Sequence, residues 1–145
     1  MITIEHRIEI RRPVETVFAF VANPRNAPQW EGTVKEVRVT PDGPPAVGTQ
    51  AKRVGSFLGV KLEATNEITA LEHNRSLSFK GTSGPASMEG TFRFEAVGEG
   101  TRLSGTFQVE PGGLFKMAGP LFASQARKQM EADLQRLKEL LEARS

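Results

Sequence analysis

The chain has 145 residues, 38% hydrophobic and 25% charged, enough to bury roughly two-thirds of its unfolded surface around one core and ordinary enough to exclude a disordered or fibrous chain. With 19 basic against 17 acidic residues the net charge is +2, and the basic residues fall in pairs such as Arg11-Arg12, Lys52-Arg53 and Arg127-Lys128 with no long run to follow a phosphate backbone, so nucleic acid is not expected as a partner. The absence of Cys excludes thiol chemistry and Cys-based metal sites, and with no basic leader at Met1-Ile2-Thr3-Ile4 and no apolar stretch of about 18 residues the expectation is a soluble, cytoplasmic chain without integral membrane association.

From Ile2 to Arg11 the residues alternate, Ile2, Ile4, His6, Ile8 and Ile10 sharing one face, which predicts a half-buried strand. Pro13 stands where a helix would begin, and Val14, Val17, Phe18 and Val21 follow at helical spacing until Asn23-Pro24 stops this short first helix. Pro24 and Pro28 break the next segment into a turn or single helical turn that delivers Trp30.

A meander of six strands is predicted next: 33–40, 48–55, 60–71, 75–81, 87–97 and 101–109. Pro41-Asp42-Gly43-Pro44-Pro45 and Gly98-Glu99-Gly100 punctuate it, and links this short impose antiparallel order. In the third of these strands Val60, Leu62, Ala64, Asn66 and Ile68 share the inward face, while Glu63 and Glu67, like Glu89 and Glu95 further on, face out. The facing of 48–55 is left open by its pattern. After Pro111-Gly112-Gly113 the period changes to that of a helix, with Leu114, Met117, Ala118, Leu121, Phe122, Met130, Leu134, Leu137, Leu140 and Leu141 on one side. Counted to Ala143 it would measure about 45 Å, unless Pro120, eased by Gly119, kinks it or marks its true start.

The order is therefore strand, short helix, broken turn, six strands, long helix: an α+β architecture in which the last helix alone has the apolar area to cover the sheet. A bent sheet closed by one helix about 10 Å wide leaves space between them, and an internal apolar cavity is expected. Here the chain resembles a known family. Ile8-Glu9-Ile10-Arg11-Arg12-Pro13-Val14-Glu15-Thr16-Val17-Phe18, then Asn23-Pro24 with Trp30, Gly48-Thr49, the turn Glu72-His73-Asn74-Arg75 and the helix after Pro111-Gly112-Gly113 are similar to the polyketide cyclase/dehydrase and lipid-transport proteins of the START-like (SRPBCC, Bet v 1-like) superfamily. The resemblance covers essentially all of 1–145 and implies one helix-grip domain: a curved antiparallel sheet of about seven strands in β-α-α-β6-α order wrapped around a long C-terminal helix. The same architecture serves many ligands, so it implies little about which one.

Candidate chemistry is sparse. His6, on the apolar face of the first strand, suits a general acid/base or a donor to a bound carbonyl, against the alternative of a core or rim histidine bonded to backbone. Asn66 and an inward Arg53 could likewise polarise a carbonyl, and Asn66 could orient a ligand. Gln125, on the expected cavity side of the helix, carries the same ambiguity. His73 lies in a polar turn without partners at ligand spacing, so no metal and no cofactor are expected. Ser56, Ser83, Ser87 and Ser124 lack the Gly-x-Ser-x-Gly context of a nucleophile, and Gly55-Ser56-Phe57-Leu58-Gly59 is taken as a hairpin, not a phosphate cradle. Trp30, Phe57, Leu62, Ala64, Phe79, Met88, Phe92, Phe107, Met117, Leu121 and Phe122 make the expected apolar ligand-binding lining, each residue also serving the core.

The leading expectation is a protein that binds a small apolar molecule, lipid, quinone or polyketide-like, in this cavity. The family implies a second, a cyclase/dehydratase acting on a carbonyl substrate, although Tyr is absent from a cavity where such enzymes use Tyr, Arg or Ser. A third is a protein-interaction module whose loops around Trp30, Phe57 and Leu58 meet a partner over a nearly filled interior. A homodimer is compatible with all three.

Overall fold

A computed structural model describes residues 2–144. The side chain of Leu114, expected on the buried stripe, lies outside the described residues. Strand β1 (Ile2–Ile10) ends at Arg11-Arg12, and Pro13 occupies the cap of helix α1 (Val14–Ala22). The Asn23 side chain accepts the Arg25 N–H at 3.1 Å and turns the chain into a single 3₁₀ turn, Pro24–Asn26. Asn26 Nδ2 donates back to the Phe20 carbonyl at 3.0 Å, tying that turn to α1. Helix α2 (Ala27–Trp30) is one turn long and buries Trp30.

The meander follows as β2 (Val34–Thr40), β3 (Gln50–Phe57), β4 (Val60–Glu72), β5 (Ser76–Ser83), β6 (Ala86–Val97) and β7 (Gly100–Pro111). All neighbours are antiparallel, in the order β1-β7-β6-β5-β4-β3-β2. β1 and β2 are therefore the two free edges. β4 slips register against β5 twice, between Thr65 and Asn66 and between Ile68 and Ala70, and such bulges bend a sheet and sharpen its twist. The open facing of β3 resolves with Ala51, Arg53, Gly55 and Phe57 inward, since they pair with Asn66, Ala64, Leu62 and Val60.

The last segment is two helices. α3 (Leu114–Met117) is a single turn, and α4 (Pro120–Glu142) runs 23 residues, about 35 Å at 1.5 Å per residue. Pro120 thus starts the long helix, and Gly119, at φ 55° and ψ −130°, takes a conformation that only glycine adopts at low cost. α4 lies along β1, where Lys138 Nζ donates to the Glu9 carbonyl at 2.7 Å, and reaches toward the β2 edge through Asp133, which accepts the Gly32 N–H at 2.9 Å.

Two apolar clusters hold the layers together. The larger joins Val17, Phe18 and Val21 of α1 with Trp30, Phe92, Phe94, Leu103 and the α4 residues Leu134, Leu137 and Leu141. The smaller joins Ile4 and Val109 with Phe115 and Phe122.

Candidate functional site

Between these clusters the bent sheet stands away from α4 and leaves a cavity of about 300 Å³ that is partly open to solvent. Strand parity decides what faces it. β3 contributes Arg53, Gly55 and Phe57, β4 contributes Leu62, Ala64, Asn66 and Ile68, and β5 contributes Leu77, Phe79, Gly81 and Ser83. Met88, Phe92, Phe107 and Val109 come from β6 and β7, and Trp30, Glu31 and Thr33 from α2 and the chain after it. From α4 the lining residues are Phe122, Ala126, Gln129, Met130, Asp133 and Leu134, the one-face spacing of a helix.

The aromatic part of this wall is interlocked. Phe92 and Phe107 meet edge to face with centroids 5.2 Å apart, Phe79 lies 5.6 Å from Phe107, and Phe57 meets Phe122 edge to face at 5.7 Å, all in the favoured range for ring pairs. Gly90 makes this arrangement possible, because a Cβ there would stand 2.1 Å from Phe107 Cδ1.

The polar part is small and specific. Asn66 is 8% exposed, and its amide has no hydrogen-bond partner among the described residues. Arg53 is ion-paired with Glu31, both side chains being largely covered. Asp133, also 8% exposed, accepts from the Gly32 N–H and, at 2.8 Å, from Gln129 Nε2. Burial pushes its carboxyl up to about 6, against the lowering effect of those two donors; the nearby Glu31 raises it further and Arg136 lowers it. Such a group exchanges its proton just below neutral pH, and Arg53 could polarise a carbonyl only by sharing its guanidinium with Glu31.

Most of the expected lining is where alternation put it: Trp30, Arg53, Phe57, Leu62, Ala64, Asn66, Phe79, Met88, Phe92, Phe107 and Phe122 all border the cavity. Four expected residues do not. His6 is half-buried on the inward face of β1, opposite Gly105, but Ile4 is the β1 residue that reaches the cavity, and His6 falls outside the lining. Met117 and Leu121 are 83% and 54% exposed, and Gln125 is half-buried off the lining. Their misplacement has one cause: the break at Gly119 separates α3 from α4, and on α4 a one-residue step turns a side chain by about 100°, so Phe122 and Ala126 point inward while Leu121 and Gln125 do not. Trp30, offered as a loop contact for a partner, is 4% exposed and belongs to the core. Glu67, expected outward, also borders the cavity while accepting from Gln50 Nε2 at 3.2 Å.

Asp133, Glu31 and Gln129 escape the sequence reading. Asp133 lies in Gln129-Met130-Glu131-Ala132-Asp133-Leu134-Gln135-Arg136, where an isolated acid looks like one more solvated position, and its place beside Leu134 and four residues after Gln129 is the only local signal of an inward face. Among the described residues no three His, Asp or Glu side chains gather as a metal site, and no helix is long and apolar enough to cross a membrane.

A family model described as polyketide cyclase / dehydrase and lipid transport matches residues 1–142. No curated protein matches the sequence. Among solved structures the chain is similar to the protein TTHA0849 from Thermus thermophilus, at 22% identity over 99% of both chains with a TM-score of 0.84. It is similar to a START superfamily protein from Mycobacterium smegmatis, at 20% identity over 98% of this chain and 95% of that one, TM-score 0.73. Ginseng major latex-like protein 151 from Panax ginseng shares 14% identity over 95% of each chain, TM-score 0.74. The fold is that of the START and Bet v 1-like helix-grip proteins.

Proposed function

We propose that this chain, which belongs to the polyketide cyclase/dehydrase and lipid transport family, binds a small, mainly apolar molecule in the cavity between its sheet and α4. The observation that carries this reading is the cavity itself: about 300 Å³, walled by Phe, Met, Leu and Trp side chains and left unfilled by the protein's own residues. Pockets of about 300–1,000 Å³ with apolar walls and a few polar groups are the usual form of a small-molecule site, and 300 Å³ sits at the lower end. An unfilled apolar space forfeits packing contacts, a cost that a ligand removes. The same unfilled volume tells against an interaction module with a filled interior.

Affinity would come from desolvating the ligand's apolar body, at roughly 25 cal/mol per Å², with the interlocked rings of Phe57, Phe79, Phe92, Phe107 and Phe122 giving the wall a fixed shape. The test is native mass spectrometry of protein purified from its own host, followed by organic extraction. A stoichiometric apolar compound is expected, and re-adding it to stripped protein should raise Tm. Protein that is empty and gains no thermal stability across panels of lipids, quinones and polyketides would remove the reading.

A further inference from the structure

The cavity wall is almost wholly apolar, so its few polar groups decide which end of a ligand goes where. Among the described residues Asn66 is the buried neutral one with spare capacity. Its side chain is more than nine-tenths buried, borders the cavity and has no partner among the described residues, although an amide carries two donors and an acceptor. Its polar atoms open onto the cavity, so a ligand that displaces the water there leaves the amide unpaired, at about 1–3 kcal/mol, unless it brings a partner of its own. The backbone is arranged to present it: the register slip between Thr65 and Asn66 falls at this residue, and bulges commonly re-aim a side chain beside a site. Facing it on β5 is Gly81, where even a Cβ would come within 3.7 Å of the Asn66 Oδ1, so a longer side chain there would cover the amide.

The charges nearby argue about the ligand's own charge. Among the described residues Arg53 is the only basic one on the cavity lining, and Glu31 already holds it. Glu67 and Asp133 add two further acids to the lining, Asp133 being mostly ionised at neutral pH because its carboxyl titrates near 6. An incoming carboxylate would have to displace Glu31 from Arg53 or enter as an unpaired negative charge between apolar walls and ionised acids, and either is expensive. A neutral polar group faces neither cost.

We propose that the cavity selects an uncharged amphipathic molecule, an apolar body ending in a group that both donates and accepts hydrogen bonds such as a carboxamide or hydroxy-ketone, with Asn66 as its anchor and carboxylates excluded. This rests on the cavity being a ligand site, and the test separates the two. Three probes share one body and differ at one substituent: 2-methylnaphthalene, 2-naphthamide and 2-naphthoate. Each is titrated at pH 7.5 into ¹⁵N-labelled full-length protein, following the Trp30 indole N–H and the backbone amides of lining residues by NMR. 2-Naphthamide should bind about three- to tenfold tighter than 2-methylnaphthalene, the usual range for one net hydrogen bond, and 2-naphthoate should bind weakest. In Asn66→Leu the advantage of the amide should vanish while 2-methylnaphthalene still binds, and Asn66→Ser, which keeps a hydroxyl without adding bulk, should retain part of it. Equal affinity of the amide and methyl probes in the wild type, or tightest binding by 2-naphthoate, would overturn the inference while leaving the cavity reading intact. If no probe moves the lining resonances, the cavity reading falls and takes the inference with it.

Discussion

Asp133 is held by two donors and yet penalised by its burial, and the balance has a measurable sign. Its carboxyl is raised from 3.8 to about 6 in the folded protein, so between those values the folded state binds the proton that the unfolded state releases. Stability from this group is therefore greatest below about pH 4 and declines as pH rises to about 6, by roughly 2–3 kcal/mol for a shift of about two units. Asp133→Asn keeps an oxygen for Gly32 and Gln129 and removes the titration. The difference in unfolding free energy, variant minus wild type, should grow by roughly that amount from pH 4 to pH 6.5 and then level off, measured by urea denaturation. A difference that stays flat with pH would show that burial does not perturb this carboxyl. Asp133 and Asn66 also mark the limit of what single residues disclose. Strict alternation along β4 put Asn66 inside from sequence alone, whereas the Gly32 N–H that bonds Asp133 comes from a distant segment, a contact that no local pattern encodes. His6 shows the complementary gap: parity gave its face correctly, but the cavity reaches β1 at Ile4 and stops short of His6.

At the scale of elements, the C-terminal turn of α4 is fastened against its own dipole. A carboxylate there is unfavourable to a helix, yet Glu142 accepts from Lys138 Nζ at 2.6 Å and from the Arg11 backbone N–H at 2.8 Å. These bonds, Lys138 first, hold its carboxyl down at about 2, against an ordinary 4.5. Arg12 Nη1 donates to the Leu141 carbonyl at 2.8 Å, and the Arg144 guanidinium stacks 5.1 Å above the Phe20 ring. The connection between β1 and α1 thus cups the end of α4. A depressed carboxyl contributes stability that is complete above pH 4.5 and is lost as pH falls toward 2. Glu142→Gln should therefore cost about 1 kcal/mol at pH 7 and progressively less below pH 4.5, in paired urea titrations; a deficit of equal size at pH 7 and pH 2.5 would assign it to lost packing. The elements themselves were largely legible, because the change from a two-residue to a 3.6-residue period is sharp at Pro111-Gly112-Gly113. The start of α4 was not, since Gly119-Pro120 suits a kinked helix as well as a new one, and on that choice turned the facing of Met117, Leu121 and Gln125.

At the scale of the molecule, the sequence carried the helix-grip arrangement because local rules leave few options: short links force antiparallel neighbours, and one amphipathic helix must cover the sheet. The volume of the cavity was not legible, because it depends on two register slips in β4 and on the space that Gly90 leaves for Phe107. The sheet order carries a kinetic consequence. Every ladder from β2 to β7 joins strands adjacent in the chain, whereas β1 must find β7 across the whole meander, pairing Ile2 with Val109 and Ile10 with Thr101. Closing so long a loop is entropically slower than zipping hairpins, so β1 should be the last strand to dock, with α4, packed along it, settling at the same moment. In pulse-labelled refolding, amides of β3–β6 should gain protection before those of β1, and simultaneous protection would place the long-range pair in the folding nucleus. The site would then come into being only at the end, when the strand that precedes the whole meander is laid into its wall.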